Sequence, residues 1–213
     1  MIKGGECAGF AEDEKRITAY FDERARRFGD DPRALDWSNR AAQEARFRVL
    51  SEIGIETGHS VLDVGCGQGD FSLWLREKGL LVDYVGLDLS DRMIALARKK
   101  VPCAQFMIGA AHTAAPTVGT FDWVVASGLF YLRRFEPYDY MRCTLTALFA
   151  IARLGLAFNT LTDWDGSESA DGEFRAKPEL IVALCRGLTP FFTLRADYHV
   201  GDSTFYLFNQ RRG

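Results

Sequence analysis

Residues 61–70 read VLDVGCGQGD, an apolar run followed by three glycines at alternate positions and then an acidic residue. The apolar run has the length and β-branched content of a buried strand. Glycines let the backbone turn sharply and keep side chains away from a bound molecule. In open α/β sheets, ligands bind where a strand ends and the next helix begins. The stretch therefore predicts a ligand site at the end of a parallel strand.

Short apolar runs alternate with helical segments on both sides of this stretch, a rhythm typical of a parallel sheet covered on both faces. Two further runs near the end are separated by a short turn, which predicts a hairpin and one antiparallel strand at the sheet edge. We expect an α/β fold with a doubly wound, mostly parallel, seven-stranded sheet. The predicted strands are 61–64, 82–87, 104–108, 121–126, 156–158, 191–198 and 204–209, and the predicted helices between them are 70–78, 91–100, 138–152 and 178–187.

Two helical segments precede the first strand. Residues 12–28 place apolar side chains at helical spacing, and a second helix follows with Ser38 as its expected N-cap and Gly54 as its end. We expect residues 1–57 to form an N-terminal helical cap and residues 58–213 to form the ligand-binding core. A cap in this position covers the carboxyl edge of the sheet.

Composition excludes several classes of protein. The chain has 213 residues, 47% of them hydrophobic, and a net charge of −3. No apolar run approaches the roughly 18 residues of a membrane span, and no basic patch suggests nucleic-acid binding. The five cysteines and three histidines are widely separated, so no metal site is expected. These features indicate a soluble, cytoplasmic protein, and they leave its oligomeric state open.

A dinucleotide-binding site requires the pattern G-x-G-x-x-G. Gly65 and Gly67 match its first two positions, but Asp70 occupies the third. An acidic residue at the start of the following helix repels a pyrophosphate. The turn suits a neutral or cationic ligand better.

Three segments in order resemble the motifs of the class I S-adenosylmethionine (SAM)-dependent methyltransferases. They are residues 63–69 after the first strand, 85–90 with Asp88 after the second, and 121–127 in the fourth. The resemblance implies a Rossmann-like fold, SAM as methyl donor and S-adenosylhomocysteine (SAH) as product. It also implies that Asp88 binds the two ribose hydroxyls, and paired carboxylate oxygens suit such donors.

The resemblance implies contacts with the other parts of SAM as well. No carboxylate follows the third strand, so we expect backbone groups of Ala110 or Ala111 and apolar contacts of Leu89 and Met93 to hold the adenine. Arg46 is a candidate for binding the methionine carboxylate. The alternative is that Arg46 is an arginine at the protein surface with its charge in solvent. The remaining expected SAM contacts are Asp63, Gly65, Cys66, Gly67, Ser127 and Trp37, the last either a lid or a loop anchor.

The expected reaction is methyl transfer to an O, N or S atom of a small molecule. Residues 126–131 lack the Asn/Asp-Pro-Pro-aromatic motif of the enzymes that methylate amino groups of nucleic acids. His112 is a candidate base and Tyr20 a candidate catalytic residue, although structural packing is an alternative for both. A non-catalytic SAM-binding protein and a nicotinamide-dependent oxidoreductase remain as other functions.

Overall fold

The computed structural model describes residues 9–114, 118–132, 134–164, 166 and 169–211. Its helices are α1 (Ala11–Phe28), α2 (Arg40–Ser51), α3 (Asp70–Glu77), α4 (Asp91–Lys100), α5 (Ala111–Ala114), α6 (Pro137–Ile151) and α7 (Pro178–Leu188), with a 3₁₀ helix, η1 (Pro32–Leu35), after α1. Its strands are β1 (Ser60–Val64), β2 (Asp83–Asp88), β3 (Gln105–Ile108), β4 (Phe121–Ala126), β5 (Ala152–Leu161), β6 (Phe192–Arg195) and β7 (Asp202–Phe208).

Within the described residues the seven strands form one sheet in the order β3-β2-β1-β4-β5-β7-β6. Strands β1 to β5 run parallel, and β7 runs antiparallel to both of its neighbours. The doubly wound, mostly parallel sheet is therefore confirmed. The order reverses between β1 and β4, which is where such sheets bind ligands.

The predicted C-terminal hairpin of β6 and β7 is confirmed, but the expected edge position of the antiparallel strand is wrong. β7 is inserted between β5 and β6, and every one of its residues is buried. The short, half-exposed β6 takes the edge instead. An interior strand needs apolar cover on both faces, which β7 has and β6 lacks.

Helix α2 is part of the core. Its Phe47, Val49 and Leu50 belong to the same hydrophobic cluster as Trp74 of α3 and Tyr206 of β7. Within the predicted cap of residues 1–57, α2 thus packs with the core. The part that lies over the sheet edge is the α1–η1 segment, which we define as residues 11–36.

The start of α2 also differs from the prediction. Asn39, not Ser38, is the N-cap, and its Oδ1 accepts a hydrogen bond of 2.9 Å from the amide of Ala42. Both residue types suit an N-cap, and here the chain direction after η1 places the asparagine at the helix start. None of the helices in the described ranges combines the length and the apolar character that crossing a bilayer demands.

Candidate active site

A cavity of about 560 Å³ lies at the carboxyl edge of β1, β2 and β4. Its floor comes from the residues that end these strands, its roof from the α1–η1 segment, and its far wall from the chain that follows β4 and β5. Representative lining residues are Gly65, Asp88 and Ser127 on the floor, Tyr20, Asp36 and Trp37 in the roof, and Tyr131, Arg134 and Arg175 in the far wall. The topology thus brings together residues from distant parts of the chain.

The glycine turn forms one side of this floor. Gly65 lines the cavity at φ 74°, and its amide donates a 2.7 Å hydrogen bond to the carbonyl of Leu87. Gly67, at φ 52°, is covered by Leu35, because a Cβ at Gly67 would lie 2.6 Å from Leu35 Cδ2. The structure therefore brings Gly65 to the cavity but places Gly67 beneath the α1–η1 segment.

Asp88 ends β2 and lines the cavity. One of its carboxylate oxygens accepts from the amide of Gly67 and the other from the amide of Ser90, each at 2.9 Å. Burial raises the pKa of this carboxyl group, and the backbone donors oppose that shift. The carboxylate is thus fixed in place with acceptor capacity left for a ligand.

An apolar slot adjoins Asp88. Leu89 and the fully buried Met93 line it together with Gly109 and Ala111, whereas Ala110 does not line the cavity. On the other side of the floor, Ser127 accepts a 3.3 Å hydrogen bond from the amide group of Asn159 on β5.

Asp63 and Cys66 lie behind the floor and do not line the cavity. The Asp63 carboxylate accepts a 2.5 Å hydrogen bond from the hydroxyl of Tyr84, and burial raises its pKa to about 7. The Cys66 sulfur packs against Gly86, where an added Cβ would come within 2.8 Å of it. Both residues therefore lie inside the core beside the turn, outside the cavity lining.

Arg46 of α2 also lines the cavity, where it contacts Trp37. The Arg46 guanidinium forms an ion pair with Asp202, and both side chains are buried. It also donates a 2.7 Å hydrogen bond to the carbonyl of Ala42 and lies 5.0 Å from the Trp37 ring. The Arg46 side chain points into the protein, as the sequence predicts. The sequence did not indicate that Asp202 of the same chain would pair with it.

Asp36 is a cavity residue that sequence analysis did not identify. It is the one non-glycine residue at positive φ, 62°, among those described. Its carboxylate accepts hydrogen bonds from Tyr20 at 2.7 Å and from Tyr131, and it forms a 2.5 Å ion pair with Arg24. Strained backbone of this kind persists where surrounding contacts hold it, often at functional sites. Its partners stand 16 and 95 positions away, so no local sequence signal reveals the cluster.

Tyr20 lines the cavity, but its hydroxyl donates to Asp36. Burial and the neighbouring carboxylate raise its pKa to about 12. The phenol therefore keeps its proton at neutral pH and donates it to the hydrogen bond with Asp36.

His112 does not reach the cavity, contrary to its prediction as a base. The side chain packs against Phe10 and Tyr140, with ring centroids 5.4 and 6.0 Å apart, and its Nδ1 lies 3.4 Å from Glu14. Burial lowers its pKa. Helix α5 begins at Ala111, so Ala111 faces the cavity and the helical turn rotates the next side chain away.

The cavity combines a fixed carboxylate, an adjoining apolar slot and a backbone floor without side chains at Gly65. A carboxylate suits vicinal hydroxyl groups, and the slot suits a planar base, so the residues present fit a nucleoside. Among the described residues no group of three or more His, Cys, Asp or Glu side chains is arranged to hold a metal ion.

Comparison with known sequences supports this interpretation. The family model described as "Methyltransferase domain" matches residues 61–148. A Mycobacterium tuberculosis protein named "Putative methyltransferase" is 32% identical over 136 residues, which cover 60% of this chain and 78% of that protein. Demethylmenaquinone methyltransferase of Shouchella clausii is 35% identical over 99 residues, 44% of this chain and 41% of that enzyme.

Solved structures share the fold. Magnesium protoporphyrin IX methyltransferase of Synechocystis, crystallised with SAH, superimposes with a TM-score of 0.63 at 17% identity. The superposition covers 91% of this chain and 98% of that enzyme. At that identity the likeness concerns the fold alone, whereas the sequence match to the mycobacterial protein concerns the family. The chain belongs to the class I methyltransferases and is an enzyme that uses SAM as its methyl donor.

Proposed function

We propose that this methyltransferase transfers the methyl group of SAM to an O, N or S atom of a small molecule, which it encloses in the cavity beneath the α1–η1 segment. The observation that carries the proposal is the position of Asp88, fixed at the cavity floor beside an apolar slot. The limited cavity volume of about 560 Å³ favours a small acceptor. Relatives are named for small acceptors too, among them demethylmenaquinone and trans-aconitate.

The donor occupies the floor of the cavity in this proposal. Asp88 accepts hydrogen bonds from the ribose hydroxyls, and Leu89, Met93 and Ala111 contact the adenine. Gly65 and Ser127 would contact the methionine part, and Arg46 and Trp37 would hold its carboxylate. In this proposal three of the SAM contacts expected from the sequence position the turn and do not contact the donor. They are Asp63, Cys66 and Gly67.

The acceptor occupies the space between the α1–η1 segment and the far wall. When bound, SAM supplies an electrophilic methyl group on a positively charged sulfur. The protein holds the acceptor atom in line with that methyl group and excludes water. Tyr20 and Tyr131 hold Asp36 in the roof and so keep the enclosure closed. Positioning, rather than proton abstraction by Tyr20 or His112, is the proposed role of the chain.

The α1–η1 segment is the proposed lid, and α2 stays with the core. Ser90 Oγ donates a 2.5 Å hydrogen bond to Asp22 of α1, and Gln68 donates one of 2.5 Å to the carbonyl of Gly29. These bonds join the lid to the turns after β1 and β2, next to the donor space. Lid closure is therefore expected to respond to donor binding.

Calorimetry with SAM, SAH and NAD tests the proposal. We expect SAM and SAH to bind with a stoichiometry of one and NAD not to bind. Binding of NAD in preference to SAM supports a nicotinamide-dependent oxidoreductase. Transfer of a radiolabelled methyl group to compounds in a low-molecular-weight extract tests turnover, and donor binding without any transfer favours a non-catalytic SAM-binding protein.

A further inference from the structure

Arg134 lies in the far wall of the cavity, in the segment after β4. Its side chain is buried, with a relative exposure of 6%, and it lines the cavity. The guanidinium carbon lies 3.5 Å from the centroid of the Tyr140 ring. The guanidinium therefore lies over the face of the ring, a cation–π contact that holds the charged group at the cavity wall.

The Arg134 guanidinium forms no ion pair with any carboxylate in the part of the chain that the structure describes. Within the described part of the chain, neither its Nε nor its Nη1 has a hydrogen-bond acceptor. Asp13 and Glu14 of α1 attract the charge at longer range. Asp13 is itself engaged, because it accepts a 2.8 Å hydrogen bond from the amide of Phe135 and pairs with Arg16. A buried guanidinium without an acceptor lowers stability.

The other arginines around the cavity do have partners. Arg46 pairs with Asp202, and Arg175 lies 3.8 Å from Glu173. Of the arginines that the described ranges contribute to the cavity lining, Arg134 alone forms no ion pair. A stacked guanidinium with unpaired donors is suited to a planar or tetrahedral oxyanion.

We propose that the acceptor is an acidic small molecule and that Arg134 binds its carboxylate or phosphate group. This inference rests on the proposed function, since it assigns the acceptor class of the same cavity. Arg134 stacks on Tyr140 and follows Tyr131, so the anion is held in the far wall beside aromatic rings. The oxyanion pairs with the side of the guanidinium that lines the cavity and balances a charge that no ion pair within the described residues neutralises.

Benzoate, phenyl phosphate and neutral benzamide are the probes for this proposal, each titrated by calorimetry into SAH-saturated enzyme. The variant is Arg134→Gln, and its matched control is Arg142→Gln, which changes an exposed arginine of α6 that pairs with Asp139. We expect at least one anion to bind the unmodified enzyme about tenfold more tightly than benzamide, the scale of a hydrogen bond to a charged group. Arg134→Gln removes this preference, and Arg142→Gln keeps it.

Equal binding of the anions and benzamide, no binding of either anion, or an unchanged preference in Arg134→Gln overturns the proposal. Benzoate and phenyl phosphate together show which oxyanion is preferred. SAH affinity, measured on the same samples, reports on the proposed function separately. If SAH fails to bind, the anion preference is measured on the free enzyme, so the two failures are distinguishable.

Thermal unfolding without added anion provides a second readout. Because Arg134→Gln removes an uncompensated buried charge, we expect the variant to unfold at a temperature equal to or above that of the unmodified enzyme. A clearly lower unfolding temperature together with an unchanged anion preference assigns Arg134 to holding α1 and contradicts the proposal.

Discussion

The carboxylate of Asp36 accepts a hydrogen bond from the hydroxyl of Tyr131, and this bond ties the end of the α1–η1 segment to the loop after β4. Tyr20 donates to the same carboxylate, but from within the segment. The two phenols therefore make the same kind of bond with different consequences. Of these two bonds to Asp36, the one from Tyr131 crosses between the lid and the rest of the protein, and the one from Tyr20 does not.

This difference predicts distinct effects of two matched substitutions. Tyr131→Phe and Tyr20→Phe each remove one hydrogen bond to a charged group, worth about 1.5–3 kcal/mol. We expect both to lower stability, and Tyr131→Phe to weaken SAM binding more strongly because it releases the lid. Urea unfolding and calorimetry on the same samples check this. Equal effects on SAM affinity contradict a lid held by Tyr131.

Asp88→Asn tests the proposed ribose contact. The asparagine keeps one oxygen acceptor for the backbone amides but loses the charge and the second acceptor. We expect SAM affinity to fall by about 1.5–3 kcal/mol in a folded protein. Asp91→Asn, three residues along at the exposed start of α4, is the control and leaves affinity unchanged. Unchanged SAM binding by Asp88→Asn refutes the ribose assignment.

Asp63 predicts a pH dependence of stability. Burial raises the pKa of this carboxyl group to about 7 in the folded protein, whereas an aspartate in an unfolded chain titrates near about 3.9. Between pH values of about 4 and 7, Asp63 is protonated in the folded state and ionised in the unfolded chain. The contribution of Asp63 to the free energy of unfolding therefore falls as the pH rises through this range.

Asp63→Asn removes that contribution while keeping an oxygen that accepts from Tyr84. We expect the stability of the variant, relative to the unmodified enzyme, to increase between pH 4.5 and pH 7.5, the range set by the two pKa values. Denaturant unfolding at several pH values measures this. Parallel pH profiles of the two proteins show that Asp63 does not titrate in that range.

The Arg46–Asp202 pair permits a test that separates ligand contact from structure. Arg46→Met leaves the buried Asp202 carboxylate without its ion-pair partner, which is expected to cost about 3–5 kcal/mol of stability. Adding Asp202→Asn is expected to restore part of that loss. Urea unfolding of the single and double variants measures both effects.

Methylthioadenosine, which lacks the amino-acid part of SAH, distinguishes the role of Arg46 in binding. If Arg46 contacts the methionine carboxylate, Arg46→Met weakens SAH binding about tenfold and leaves methylthioadenosine binding unchanged. An equal loss for both ligands assigns Arg46 to structure alone.

The sequence by itself determined the mostly parallel sheet and the turn after β1 that forms part of the cavity floor. The strand-turn-helix pattern at residues 61–70, with Asp88 at the end of the next strand, is set by the order and spacing of residues along the chain. That order and spacing are the same in the sequence and in the folded protein. Hydrophobic periodicity likewise located most of the helices and strands. These features are encoded within a few residues of one another, which is why they were predictable.

Only the tertiary structure decided how the rest of the cavity is built. Strand β7 entered the sheet interior because burial on both faces outweighed its position at the end of the chain. The His112 side chain points away from the cavity because α5 begins at Ala111, one residue before it, and the helical turn directs the two side chains differently. Contacts between segments far apart in the chain, such as the hydrogen bond from Tyr131 to Asp36, bring further residues to the cavity lining, Arg134 among them. Such contacts depend on how helices and strands pack together, and no local pattern of residue types specifies them.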